Sequence, residues 1–138
     1  MAIALFPGSF DPFTTGHEAI LRRVLPLFDK VVVAVGVNSD KKYMFTVEER
    51  MARIREMLND CPTVEVTSYS GMTVDLCHRL GAKVIIRGIR TAKDFDYEQT
   101  IAAVNRLQDP SIETLLLLAD PEHIDISSTL EREKLSHQ

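Results

Sequence analysis

Short runs of β-branched and other apolar residues alternate along this chain with longer stretches whose apolar positions recur every three to four residues. The short runs predict strands at 2–6, 30–37, 63–68, 83–87 and 113–118. Between them, Ile20, Leu21, Val24, Leu25 and Phe28 share one face of a helical pattern. Met51, Ile54 and Leu58 do the same, and later Tyr97, Ile101, Val104 and Leu107. Thr46 and Glu49 have the spacing of a capping box at the start of the second helix, and Gly81 stands where a helix ends on glycine. Strands separated by crossover helices predict one α/β domain over 1–138, a Rossmann-like, doubly wound, parallel five-stranded sheet with flanking helices. Ligands of such a sheet bind beyond the carboxyl ends of its strands, so function belongs in those loops.

Composition narrows the classes. At 138 residues, with 45% apolar and 26% charged positions, the chain suits one globular core rather than a disordered polymer. A formal charge of −4 argues against a nucleic-acid surface, so positive charge for an anionic ligand has to be local. The apolar start Met1–Phe6 lacks a basic lead and a cleavage pattern, and no apolar run approaches the roughly 20 residues of a membrane span. A cytoplasmic protein without a membrane partner is expected. Cys61 and Cys77 form no CxxC pair and suit packing in a reducing compartment. No Cys/His cluster or carboxylate spacing predicts a protein metal site.

Chemistry is concentrated in two segments. The first strand ends in Phe6-Pro7-Gly8-Ser9-Phe10-Asp11-Pro12, and a helix opens near Thr14-Thr15-Gly16-His17. A strand followed by a helix N-terminus is a phosphate-binding geometry, although the glycines match neither a Walker loop nor GxGxxG. His17 in the first helical turn has a donor for a phosphate oxygen; taken alone, such a histidine is more often a cap or a core residue. Asp11, between Phe10 and Pro12, reads as a turn former. Near the other end, Ile126-Ser127-Ser128-Thr129-Leu130-Glu131-Arg132 follows the last strand and opens a final helix. Its hydroxyls and amides suit phosphate, with Arg132 adding charge, while Ser128 and Glu131 also fit an ordinary capping box.

TxGH after the first strand, paired with ISSTxxR after the last, resembles the signature of the nucleotidyltransferase α/β-phosphodiesterase superfamily. Residues 7–12, Lys41-Lys42, Arg87-Gly88-Ile89-Arg90 and Asp94-Phe95-Asp96-Tyr97-Glu98 are similar, collinearly, to bacterial phosphopantetheine adenylyltransferase. The resemblance implies transfer of AMP from ATP to 4′-phosphopantetheine, giving dephospho-coenzyme A and pyrophosphate, by in-line displacement without a covalent enzyme intermediate. It implies acceptor contacts from Ser9, Lys41, Thr73 and Arg87. For ATP it implies Ser9, Phe10, His17, Gly88, Ile89, Arg90, Glu98, His123, Ile124, Asp125, Ile126, Ser127, Ser128 and Thr129. The residues alone leave Glu98 evenly balanced between such a contact and a solvated helix face. The two motifs by themselves also leave open a superfamily member with another acceptor or nucleotide, or a binding protein without catalysis.

The acceptor's phosphate monoester, with a second pKa of about 6, is already a nucleophile at neutral pH, which fits a sequence with no evident general base. Catalysis then rests on position and charge. Lys41 and Arg87 are the cations expected where two anions meet, His17 the group stabilising the α-phosphate, and Arg90 and Arg132 the holders of pyrophosphate. Mg²⁺ is expected to arrive with ATP, needing little from the protein. The family further implies a homohexamer and feedback inhibition by coenzyme A. After Arg132 only six residues remain, a shorter helical tail than the family usually carries, and Glu131 replaces a commonly apolar position.

Overall fold

The computed structural model describes residues 1–121, 132, 133 and 135. Five parallel strands, β1 (Ile3–Gly8), β2 (Lys30–Gly36), β3 (Val64–Tyr69), β4 (Val84–Ile89) and β5 (Glu113–Leu118), lie in the order β3-β2-β1-β4-β5. Four α-helices connect them: α1 (Thr15–Val24), α2 (Val47–Met57), α3 (Thr73–Leu80) and α4 (Ala92–Gln108). This is the expected Rossmann-like, doubly wound sheet. Helices cover both faces, which is why Val31 through Val35 are buried without alternation. Ala4, Phe6, Val31, Val33 and Val35 pack with α1 and α2 on one face, while Leu5, Val32 and Ala34 pack with α3 on the other.

Local signals set the helix ends. Thr46 and Glu49 make the predicted reciprocal cap on α2, and Gly81 closes α3 in the left-handed conformation at φ 73°. Pro26 cannot continue α1, so the chain passes into a 3-10 turn at Leu25–Leu27.

Two strand ends differ from expectation in a way that builds the site. β1 continues past Phe6 through Pro7 and Gly8, which pair with Ala34 and Val35 of β2. Pro7 is tolerated because the β1–β4 register covers only Ala4–Val84 and Leu5–Ile85. Beyond those pairs β1 and β4 part, at the position where the strand order reverses, the switch point at which such sheets bind ligands. β4 likewise runs on past Arg87, so Gly88 and Ile89 lie on the strand, paired with Leu117 and Leu118, rather than in a loop.

The face expected for α4 is also corrected. Tyr97 and Leu107 are 65% and 86% exposed and Val104 is exposed too, whereas Glu98 and Asn105 are buried. The inward side of α4 lines a cavity with Glu98, Ile101 and Asn105, so Ile101 faces in as expected while Tyr97, Val104 and Leu107 point elsewhere. Among the described residues no helix is long and apolar enough to cross a membrane.

Candidate functional site

Where β1 and β4 diverge, a cavity of about 810 Å³ opens at the carboxyl end of the sheet. Ser9, Lys41, Thr73, Arg87 and Glu98 all line it, although they come from five separate segments. Lys41 Nζ donates to Ser9 Oγ at 3.3 Å, drawing the loop after β2 onto the loop after β1. At the first residue of α3, Thr73 Oγ1 lies 3.3 Å from the Tyr69 hydroxyl, so one wall presents a polar pair.

Arg87 holds the floor. Its Nε and Nη2 donate to the two oxygens of Glu98 at 2.8 and 2.7 Å, and Nη1 donates to the Pro7 carbonyl. Each Nη still carries one further N–H. Glu98 is only 5% exposed and both its oxygens serve Arg87. In this arrangement it is a partner of Arg87, whatever else it meets.

The loop after β1 is turned inside out. Phe10 adopts φ 48°, a conformation uncommon for a side chain of its size, and buries its ring beneath Gly8. A Cβ on Gly8 would lie 2.9 Å from that ring, so the approach requires glycine. The ring meets Phe6, Phe13 and His17 edge-on at centroid distances of 5.3, 5.2 and 5.0 Å. The left-handed turn thus sends the side chain to the core, beneath Gly8 of the cavity wall.

His17 occupies the third position of α1 and completes a capping box with Thr14. The Thr14 N–H donates to His17 Nδ1 at 2.9 Å, and Thr14 Oγ1 accepts from the His17 backbone at 3.3 Å. Desolvation between Phe10 and Phe13, followed by the charges of Arg87 and Arg90, lowers the imidazole pKa from 6.5 to about 3. His17 is therefore neutral at physiological pH. Because Nδ1 accepts, the proton sits on Nε2, leaving a donor on the side of the ring away from the cap. The capping role and the donor role, alternatives in the sequence, occupy the two nitrogens of one ring.

The remaining named residues fall around these. A Cβ on Gly88 would meet Ile20 of α1 at 3.1 Å, so this glycine lets helix and strand approach. Ile89 is buried, and its carbonyl accepts from the Ala119 N–H at 2.8 Å. The Arg90 backbone N–H donates to Asp94 at 3.0 Å, and its guanidinium lies 3.6 Å from the same carboxylate. Arg132 donates to the Asp11 carbonyl at 2.7 Å, a contact across 121 positions. His123, Ile124, Asp125, Ile126, Ser127, Ser128 and Thr129 lie outside the described residues.

Two contributors are not evident from the motifs. Asp11 is more than a turn former: its carboxylate accepts from the Met44 and Phe45 amides at 2.8 and 3.0 Å and so ties down the loop bearing Lys41. Arg50 is buried behind Ser9. Its only trace in the sequence is a cation on the apolar stripe of α2, beside Met51 and Ile54.

Comparison with known proteins gives a consistent picture. Residues 5–134 match the model of the cytidylyltransferase-like family. The chain is 53% identical over 134 residues to a phosphopantetheine adenylyltransferase of Leuconostoc citreum, covering 96% of this chain and 84% of that one. It is 49% identical over 133 residues to a phosphopantetheine adenylyltransferase of Flavobacterium psychrophilum, covering 96% and 87%. A solved bifunctional NMN adenylyltransferase/ADP ribose pyrophosphatase from Francisella tularensis superposes with a TM-score of 0.74 at 18% identity, over 99% of this chain and 42% of that one. At that identity the likeness speaks to fold alone.

Proposed function

The chain belongs to the cytidylyltransferase-like family and, within it, to the phosphopantetheine adenylyltransferases; from that membership we propose how its residues divide the work of transferring AMP from ATP to 4′-phosphopantetheine in coenzyme A biosynthesis. The observation that carries the reading is the convergence of Ser9, Lys41, Thr73 and Arg87 on one cavity at the switch point, with the His17 donor turn beside it.

In this mechanism the pantetheine arm lies in the cavity and the acceptor phosphate rests between Lys41 and Arg87. A phosphate oxygen, ionised without help from a base, attacks the α-phosphorus of ATP. The new P–O bond forms opposite the bond to the β-phosphate, which breaks to release pyrophosphate. The Nε2–H of His17 meets the α-phosphate oxygen as charge builds there. The Ser9 hydroxyl, the Phe10 amide, the Gly88–Arg90 backbone and the 123–129 segment hold the nucleotide, with Arg90 and Arg132 at its pyrophosphate end. Mg²⁺ enters as part of the ATP substrate, bound by phosphate oxygens and water.

The finer expectations join this reading. Tyr97, Val104, Leu107 and Leu118 leave an exposed apolar stripe on the isolated chain, which supports assembly of copies, a homohexamer in the family's manner. Product-like occupation of the same cavity by coenzyme A accounts for feedback inhibition, and the cytoplasm is the compartment where both substrates meet.

Incubation with ATP, Mg²⁺ and 4′-phosphopantetheine is expected to yield dephospho-coenzyme A and pyrophosphate in equal amounts by mass and by coupled assay. Efficient turnover of nicotinamide mononucleotide or CTP instead would overturn the acceptor or the nucleotide. Lys41→Ala is expected to raise the acceptor KM roughly 10- to 100-fold, the worth of one charge-assisted hydrogen bond of about 1.5–3 kcal/mol. ATP affinity should hardly change; a loss confined to ATP would remove Lys41 from the acceptor side.

A further inference from the structure

Arg50, on the first turn of α2, is 2% exposed, and no carboxylate among the described residues pairs with it. Its Nη1 donates to the Ser9 carbonyl at 2.8 Å and to the Gly36 carbonyl at 3.1 Å, and its guanidinium stacks 4.0 Å from the centre of the Tyr43 ring. Its Nε is buried without an acceptor. Burying an arginine with neither a counter-charge nor a full set of acceptors is a costly way to build a core.

What the three partners share is the cavity. Ser9, Gly36 and Tyr43 all line it, while Arg50 itself does not. They come from the loop after β1, the end of β2 and the loop bearing Lys41, so one guanidinium ties together three segments of the cavity wall. The Ser9–Phe10 peptide is trans, and in a planar trans peptide the carbonyl and the following N–H point in opposite directions. With the Ser9 carbonyl held by Arg50, the Phe10 N–H is held facing away from α2. Among the described residues nothing accepts that N–H. Phe10 is also the residue in the left-handed conformation, the least self-sufficient point of the loop.

We propose that Arg50 is a positioning residue for adenylyl transfer: it fixes the Ser9–Phe10 peptide plane, so that the Phe10 amide and Ser9 hydroxyl meet the nucleotide phosphates in the reacting geometry. This rests on the adenylyltransferase reading above.

Arg50→Lys keeps the charge but loses the planar fork and the stacked face. Its kcat is expected to fall roughly 10²-fold while both KM values stay within about threefold, the signature of lost alignment rather than lost binding. Should Lys unfold the chain, Arg50→Met, which buries no charge, is expected to give the same split. The ¹⁵N shift of the Phe10 amide on adding ATP provides a readout without turnover: a large shift in the parent and a much smaller one in the variant. A folded variant with unchanged kcat, raised KM values at constant kcat, or an undiminished Phe10 shift would each overturn the proposal. If the parent enzyme makes no dephospho-coenzyme A while the Phe10 response still depends on Arg50, the acceptor assignment falls and the positioning role stands.

Discussion

His17→Ala is expected to lower kcat roughly 10³-fold, the cost of one donor aimed at a developing oxyanion, while the variant still binds ATP. The donor is a neutral imidazole, its Nδ1 occupied by the Thr14 N–H and its pKa held near 3, chiefly by desolvation and then by Arg87 and Arg90. A neutral donor gives little to a ground-state phosphate, which other groups already bind, and more to the oxygen on which charge accumulates. The loss should therefore appear in kcat rather than in ATP affinity. A fall in ATP affinity with kcat preserved would make His17 a binding residue instead. The same lowered pKa carries a stability signature. Between about 6.5 and 3 the unfolded chain takes up a proton that the folded chain refuses, so stability falls as pH falls through that window. The slope approaches about 1.4 kcal/mol per pH unit for one fully titrating group. Urea midpoints at pH 7, 6 and 5 should fall more steeply for the parent than for His17→Ala. Parallel slopes would mean that the imidazole is not held neutral by folding.

How far the sequence reaches depends on whether a feature is local. The central strands were legible because a parallel sheet buried on both faces is written as continuous apolar runs, as in β2, and the edge strand β5 also falls at the expected residues. Their ends were not, since Pro7 and Gly88 read as breakers and only the neighbouring strands keep them in the ladder. The face of α4 was read only in part: its inner side carries Glu98 and Asn105 beside Ile101 because it lines a cavity, while Tyr97, Val104 and Leu107 of the apolar pattern mark the outer side. Ser9, Lys41, Thr73 and Arg87 were named through resemblance, and they gather around one cavity. The groups that hold them were not. Asp11 reaches amides 33 and 34 positions away and Arg50 a carbonyl 41 positions away, and no spacing rule spans such contacts. The tautomer of His17 likewise depends on a cap that exists only once α1 has formed.

Arg87→Ala is expected to destabilise the chain by about 3 kcal/mol, because it strands the buried Glu98, and Glu98→Ala by less, because the Arg87 side chain keeps 28% of its surface exposed to the cavity. Glu98 has almost no access to water and both its oxygens are committed to Arg87, so it would be left without a partner on the inner side of α4. Against a typical domain stability of about 5–15 kcal/mol this is a large share, corresponding to roughly 10 °C in Tm. Replacing both together, as Arg87→Met with Glu98→Leu, removes the pair without orphaning a charge and should recover most of that Tm. It should not recover turnover, because the acceptor phosphate would lose the guanidinium proposed to meet it. The double variant therefore separates what the pair does for folding from what it does for catalysis. A double variant as unstable as the sum of the singles would mean that the two side chains do not act as a unit. One with near-parental kcat/KM for the acceptor would remove Arg87 from the reaction. Glu98→Gln sharpens the division between the two substrates. It preserves shape but weakens the grip on Arg87, so the acceptor KM should rise while ATP affinity holds; the reverse pattern would return Glu98 to the nucleotide.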